Sequence, residues 1–243
     1  MALTYASYLA LDELLALQRP RSSPEHPDEL LFIVVHQASE LWFKVILRDL
    51  GRLRAALEDH DPGRALWHVQ RLNSLMSVVS GQLAALDTLP PQHFAQFRGY
   101  LEQSSGAQSV QFRAIEAASG LREAHFLSLL AQHGPVPPEV QRTLDQPTLQ
   151  SLFLDLLAHE RVALDDLYLG PGPTLLFFLA EALLQYEQHF AAWRFKHVQL
   201  VERVIGPATA GTGGTLGARY LGETIGARFF PALWEVRRHL VGR

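Results

Sequence analysis

The sequence predicts an all-α protein, on three observations. Apolar residues recur at three- and four-residue steps through most of the 243 positions, which places them along one face of a helix. The strict apolar–polar alternation of a half-buried strand is nearly absent. Prolines and acids stand where helices should begin, and glycines where they should end.

The first long helix starts at Pro27, Asp28 and Glu29, with proline near the first helical position and two acids in the first turn. From there Leu30, Ile33, Val34, Ala38, Leu41, Trp42, Val45, Ile46, Leu50, Leu53 and Leu57 repeat at helical spacing to about Asp59. A second long helix is expected over 63–86, with Leu66, Val69, Leu72, Leu75, Val78, Val79 and Leu83 inward. Pro90 and Pro91 break the pattern. A short helix follows over 92–101, then a turn at Ser104-Ser105-Gly106, then a helix over 108–118 closed by Gly120. The stretch 121–169 reads as several shorter helices, broken at 134–138 and near Pro147. The longest pattern opens after Gly170-Pro171-Gly172-Pro173 and runs to Gly206, roughly 50 Å at 1.5 Å per residue. A glycine-rich segment over 206–217 and a last helix over 219–240 complete a chain with no internal repeat. One helical domain over 1–243 is expected.

Composition removes several function classes. The net charge is −4, from 21 Lys+Arg against 25 Asp+Glu. No basic block is present to engage nucleic acid or an anionic membrane. With no cysteine, disulfides, zinc ribbons, iron–sulfur clusters and thiol nucleophiles are excluded together, and a cytoplasmic location fits. Asp12 and Glu13 interrupt the apolar run that a signal peptide needs. The most apolar stretch, 175–184, is short and contains Glu181, so no membrane span is expected. Charged residues are only 19% of the chain, so more of the surface than usual should be covered by contacts.

Metal motifs were tested against the histidines. His159-Glu160 lacks the second histidine of a zincin, and no pair of Glu-x-x-His elements is present for a di-iron bundle. A haem asks for less, one histidine on a helix facing a pocket. His36 and His197 are embedded in apolar helices, where composition alone favours an ordinary hydrogen-bonded core histidine over a ligand. Gly211-Thr212-Gly213-Gly214 lacks the Lys-Ser/Thr ending of a phosphate loop and no strand precedes it. It reads as a surface loop or an active-site flap.

Six segments in order between residues 4 and 234 carry a resemblance. Phe32-Ile33-Val34-Val35-His36-Gln37-Ala38-Ser39-Glu40-Leu41-Trp42-Phe43-Lys44 resembles the FIxxHQxxELWxK signature of the tryptophan 2,3-dioxygenase family. Thr4-Tyr5-Ala6-Ser7-Tyr8-Leu9 is similar to its N-terminal segment, and Phe97-Arg98 through Leu101 with Ser104–Ser109 to its FRxxL…SSGFQS segment. Trp193-Arg194-Phe195-Lys196-His197 matches the WRFxH element, 211–214 the GTGG loop, and Arg228-Phe229-Phe230-Pro231-Ala232-Leu233-Trp234 resembles RFFPELW. Ala107 stands where that family has Phe, the loop continues Thr215-Leu216-Gly217 in place of SSG, and 120–170 carries little similarity.

The resemblance implies a helical bundle enclosing haem b, ferrous in the active form, that cleaves the indole C2–C3 bond of L-tryptophan with dioxygen to give N-formylkynurenine. It implies His197 as the axial iron ligand, with Trp193, Leu101, Ser105 and Gly106 on the cofactor. His36 becomes the catalytic-site residue that orients the indole N–H. Phe32, Ile33, Val34, Val35, Phe94, Arg98 and Thr212 join it as substrate contacts, with Arg98 on the carboxylate and Thr212 on the amino-acid end. Tyr5, Tyr8 and Leu9 would reach a neighbouring subunit's pocket from an exchanged segment, 1–20, in a homotetramer built as a dimer of dimers. Ligation by both His36 and His197 is the competing arrangement at the iron. A related haem-dependent aromatic hydroxylase and a non-catalytic haem sensor are the alternative functions.

Overall fold

A computed structural model of the chain describes residues 2–122, 124–131, 135–170, 172–207, 222 and 224–241. The described residues are helical or irregular, with no strand among them.

Three long helices organise the molecule: α3 (Pro27–Glu58), α4 (Pro62–Leu86) and α11 (Leu175–Ile205). The His26 Nδ1 accepts the Asp28 N–H at 3.1 Å, and Pro27 takes the position whose missing N–H costs nothing. Asp61 caps α4 through the Arg64 N–H at 2.9 Å, and Thr174 caps α11 through that of Phe177 at 3.3 Å. The few residues between α3 and α4 make them antiparallel neighbours, and α4 packs in turn on α11.

Shorter helices close the ends. α1 (Tyr5–Leu9) and α2 (Leu11–Leu15) precede the trio. α5 (Pro91–Arg98) continues into a 3₁₀ turn at Gly99–Leu101, and α6 (Val110–Ser119) is capped by Ser109. Gly120 ends α6 at φ +122°, where an added Cβ would lie 3.1 Å from the Phe229 carbonyl oxygen. Only glycine suits both demands. α7 (Ala124–Ala131), α8 (Pro138–Leu144), α9 (Leu149–His159) and α10 (Asp166–Leu169) fill the middle. One continuous apolar core joins α3 to α11.

Two expectations need correction. The helix expected over 219–240 is broken: α12 (Pro231–Glu235) and α13 (Arg238–Val241) follow a non-helical stretch at 227–230. Pro231 disfavours helical backbone at Phe230. The buried Glu187 carboxylate then accepts the freed N–H groups of Phe229 (2.6 Å) and Phe230 (2.9 Å), besides Trp234 Nε1 (2.6 Å) and Arg228 Nη1 (3.0 Å). Second, Leu30, Val34, Leu41 and Val78 face outward, because the buried stripe of each helix is narrower than its apolar run. α3 is long and apolar enough to cross a membrane by length and composition alone, a test that the core helix of a globular protein also passes. Its buried apolar residues, among them Val35, Phe43, Ile46, Leu50 and Leu53, serve the core.

Candidate functional site

α3 and α11 face one another across a cavity of about 250 Å³. α3 contributes Phe32, Val35, His36, Ser39, Glu40 and Phe43, a repeat of three- and four-residue steps that keeps one helix face on the opening. α11 answers with Trp193, His197, Leu200, Val201 and Val204 on the same period. Leu83 and Leu86 at the end of α4, with Leu89, close one side. The other is built by Phe94 and Arg98 of α5, Ser105 and Gly106, and Ser109, Phe112 and Arg113 at the start of α6.

His36 is fixed by its own helix. Its Nδ1 lies 2.7 Å from the Phe32 carbonyl oxygen. That oxygen only accepts, so Nδ1 carries the proton and Nε2 of the neutral ring is an acceptor. Burial holds the His36 pKa below the ordinary imidazole range, against the Phe32 carbonyl and Glu40, which both raise it. The Phe32 ring lies 4.2 Å from the imidazole and is flanked by Phe94 at 5.6 Å and Phe97 at 5.8 Å. A flat aromatic guest suits such a wall.

His197 stands one turn beyond Trp193, the rings stacked with centroids 5.1 Å apart and planes 17° from parallel. Its Nδ1 is buried and makes no hydrogen bond, while the ring as a whole opens on the cavity. Burial first, and then the neighbouring His36, lower its pKa to about 4. The imidazole is therefore neutral at physiological pH, the state a metal ligand needs. A neutral nitrogen donor on a rigid helix, facing a mostly apolar cavity whose wall also holds Arg98 and Arg113, fits a haem.

The structure brings Phe32, Val35, His36, Phe94, Arg98, Ser105, Gly106, Trp193 and His197 to this one cavity. Ile33 and Val34 are not on its wall, since successive helical residues turn by about 100° and cannot all share a face. Val34 points outward. Leu101 packs against the core instead of lining the opening. Tyr5 and Tyr8 are 77% and 71% exposed, and with Leu9 they lie off this chain's own cavity. Thr212 lies outside the described residues.

Several wall residues escaped the sequence reading: Glu40, Phe43, Phe112, Arg113, Leu200, Val201 and Val204. Helical spacing from His36 and His197 would have found five of them, at i+4 and i+7 from His36 and at i+3, i+4 and i+7 from His197. Glu40 accepts from Gln111 Nε2 at 2.7 Å. Behind the wall, Glu116 accepts from Arg113 at 2.6 Å and from Arg194 at 2.7 Å, and Arg194 donates to the Thr224 carbonyl at 2.9 Å.

The chain matches the family model described as tryptophan 2,3-dioxygenase over residues 1–144 and 169–240. The chain belongs to the tryptophan 2,3-dioxygenase family. It is 40% identical over 261 residues to a tryptophan 2,3-dioxygenase of Herpetosiphon aurantiacus, covering 98% of this chain and 99% of the relative. It is 38% identical to that of Kineococcus radiotolerans (98% and 91% covered) and 38% identical to that of Anaeromyxobacter sp. strain K (97% and 96%). The stretch that the family model passes over, 145–168, holds α9 and no residue of the cavity wall. The tryptophan 2,3-dioxygenase family match therefore spans every residue of the site.

Proposed function

We propose that the chain is a haem-dependent tryptophan 2,3-dioxygenase, converting L-tryptophan and dioxygen to N-formylkynurenine. The observation that carries this reading is the pairing of His36 and His197 from facing helices across one cavity, with Arg98 at its side, in a chain of this family. Haem b held by His197, with Trp193 against that ligand, would supply the ferrous metal that binds dioxygen and the redox chemistry. Everything else is positioning by side chains.

Arg98 meets the substrate carboxylate, where a planar guanidinium offers two parallel hydrogen bonds. The indole lies among Phe32, Phe94 and Val35, and its N–H donates to His36 Nε2. That acceptor exists because Nδ1 is committed to the Phe32 carbonyl. The reaction breaks the C2–C3 bond, gives each carbon one oxygen and consumes no net proton or external electron. An orienting acceptor is accordingly all that is required of His36. We assign Thr212 to the amino-acid end of the substrate.

We further propose a homotetramer in which residues 1–20 complete a neighbour's pocket. The support is that α1 buries none of its residues in its own chain while Leu3, Tyr5 and Tyr8 are exposed, an unusual use of large apolar groups. A cytoplasmic location is assigned from the cysteine-free composition. The test of function is to load the chain with haem, reduce it, add L-tryptophan in air and follow the N-formylkynurenine absorbance. Haem loading without product would leave the sensor reading in its place.

A further inference from the structure

We infer that His93 and Tyr100 are positioning residues for the substrate carboxylate, fixing Arg98 from its two sides in the chain; this rests on the clamp reading above. Arg98 is the last residue of α5, a helix of only 8 residues. Two turns of helix are marginal by themselves in water, so what α5 leans on decides where its side chains point.

The faces of α5 do different work. Phe94 and Arg98, one turn apart, line the cavity. His93 and Phe97, also one turn apart, meet the start of α3 instead. The His26 ring lies against both, its centre 5.2 Å from that of His93 and 5.4 Å from that of Phe97. His93 Nδ1 is 2.6 Å from Asp28 Oδ2, and because a carboxylate oxygen only accepts, Nδ1 donates. Phe97 is fully buried and packs 5.8 Å from Phe32. Apolar packing of that kind is non-directional, whereas the His93–Asp28 hydrogen bond has a direction. If α5 rolled about its axis, Arg98 would swing off the cavity as His93 left Asp28.

Beyond Arg98 the chain is caught a second time. Tyr100, in the 3₁₀ turn, donates its hydroxyl to the Ser23 carbonyl at 2.8 Å. Ser23 and Asp28 belong to one stretch leading into α3, and that stretch is itself anchored. The buried Glu29 carboxylate accepts the Arg21 N–H at 2.7 Å and the Ser22 N–H at 2.9 Å. Arg98 is thus bracketed by two hydrogen bonds to a single anchored segment. A bidentate guanidinium–carboxylate pair tolerates little displacement, so loosening either tie weakens the clamp.

The test uses the haem-loaded, full-length protein. Dissociation constants are measured by titration calorimetry without oxygen, for L-tryptophan and for tryptamine, which lacks only the carboxylate. His93→Leu and Tyr100→Phe should each weaken L-tryptophan binding by about threefold, and the double variant by about tenfold, as suits partly exposed ties. Tryptamine binding should change by less than about twofold, and in air KM for L-tryptophan should rise with kcat unchanged, since the contact is made equally before and in the transition state. His93→Asn keeps an N–H near the place of Nδ1 and should restore most of the loss. Wild-type affinity for L-tryptophan in the double variant would overturn the assignment. Equal losses for the two ligands would overturn it too, because the whole cavity would then have loosened. If Arg98→Leu kept the wild-type preference for L-tryptophan over tryptamine, the clamp itself would fall and take these roles with it, an outcome that variant alone reveals.

Discussion

Trp193 and His197 lie stacked one turn apart on α11, and each holds a ring nitrogen that is buried without a hydrogen-bond partner. Among the described residues no carboxylate bonds either nitrogen, so the imidazole is held by packing and by its helix. Replacing His197 with Ala should abolish haem retention or weaken it gravely, because it removes the nitrogen donor on that face. His36→Ala should keep its haem, as read by the Soret band after gel filtration. Equal loss in the two variants would instead indicate ligation by both histidines.

The low pKa of His197 has a consequence for the haem-free protein. The unfolded imidazole takes up a proton near pH 6.5, whereas the folded one does so only near 4. Between those values the unfolded state binds more protons, so stability is full above about pH 6.5 and falls as pH drops toward 4. The contribution is at most about 3 kcal/mol. Urea midpoints measured from pH 7 to 4.5 should fall for the apo-protein, and His197→Phe should flatten that slope.

Glu187 explains the RFFPALW element. It sits on α11 and gathers two backbone N–H groups, an indole N–H and a guanidinium. Glu187→Ala would strand those donors in the core, at a cost of about 3–5 kcal/mol. For a chain of this length that is a fall in Tm of roughly 10 °C. An unchanged melting curve would contradict the docking role.

Much of this was legible in the sequence. α3, α4 and α11 follow from period and caps, because Pro27, Pro62 and Thr174 begin apolar runs that nothing interrupts. His36 and His197 were visible as histidines inside such runs. What stayed hidden is the charge buried by long-range partners. Nothing local in the sequence marks Glu116, Glu187 and Arg194 as buried; the fold does so by placing Glu116 against Arg194 and Glu187 against Arg228, 78 and 41 positions apart in the chain. The break at 227–230 was hidden for the same reason, since its N–H groups are satisfied by a carboxylate on another element.

The N-terminal segment gives a separate test. α1 buries nothing in its own chain, so deleting residues 1–10 should leave the melting temperature nearly unchanged while turnover falls. A wild-type protein that runs as a monomer on a sizing column with full activity would contradict a contribution in trans.

Arg98 lines the cavity from the last turn of α5. Losing one partner of a buried pair costs about 3–5 kcal/mol, against about 1 kcal/mol or less for an exposed one. Arg98→Leu should therefore lower kcat/KM for L-tryptophan by roughly 10²–10³-fold or more. Haem content should be unchanged, and indole analogues without the carboxylate should be affected far less. A loss within about threefold would place Arg98 outside the clamp.

Both atoms of dioxygen should enter one molecule of L-tryptophan at this cavity. This is tested most directly by a single turnover of the reduced, haem-loaded protein under isotopically labelled dioxygen, with the product read by mass spectrometry. The expected product is N-formylkynurenine carrying two labelled oxygens. A hydroxylated tryptophan carrying one labelled oxygen, its ring intact, would contradict it.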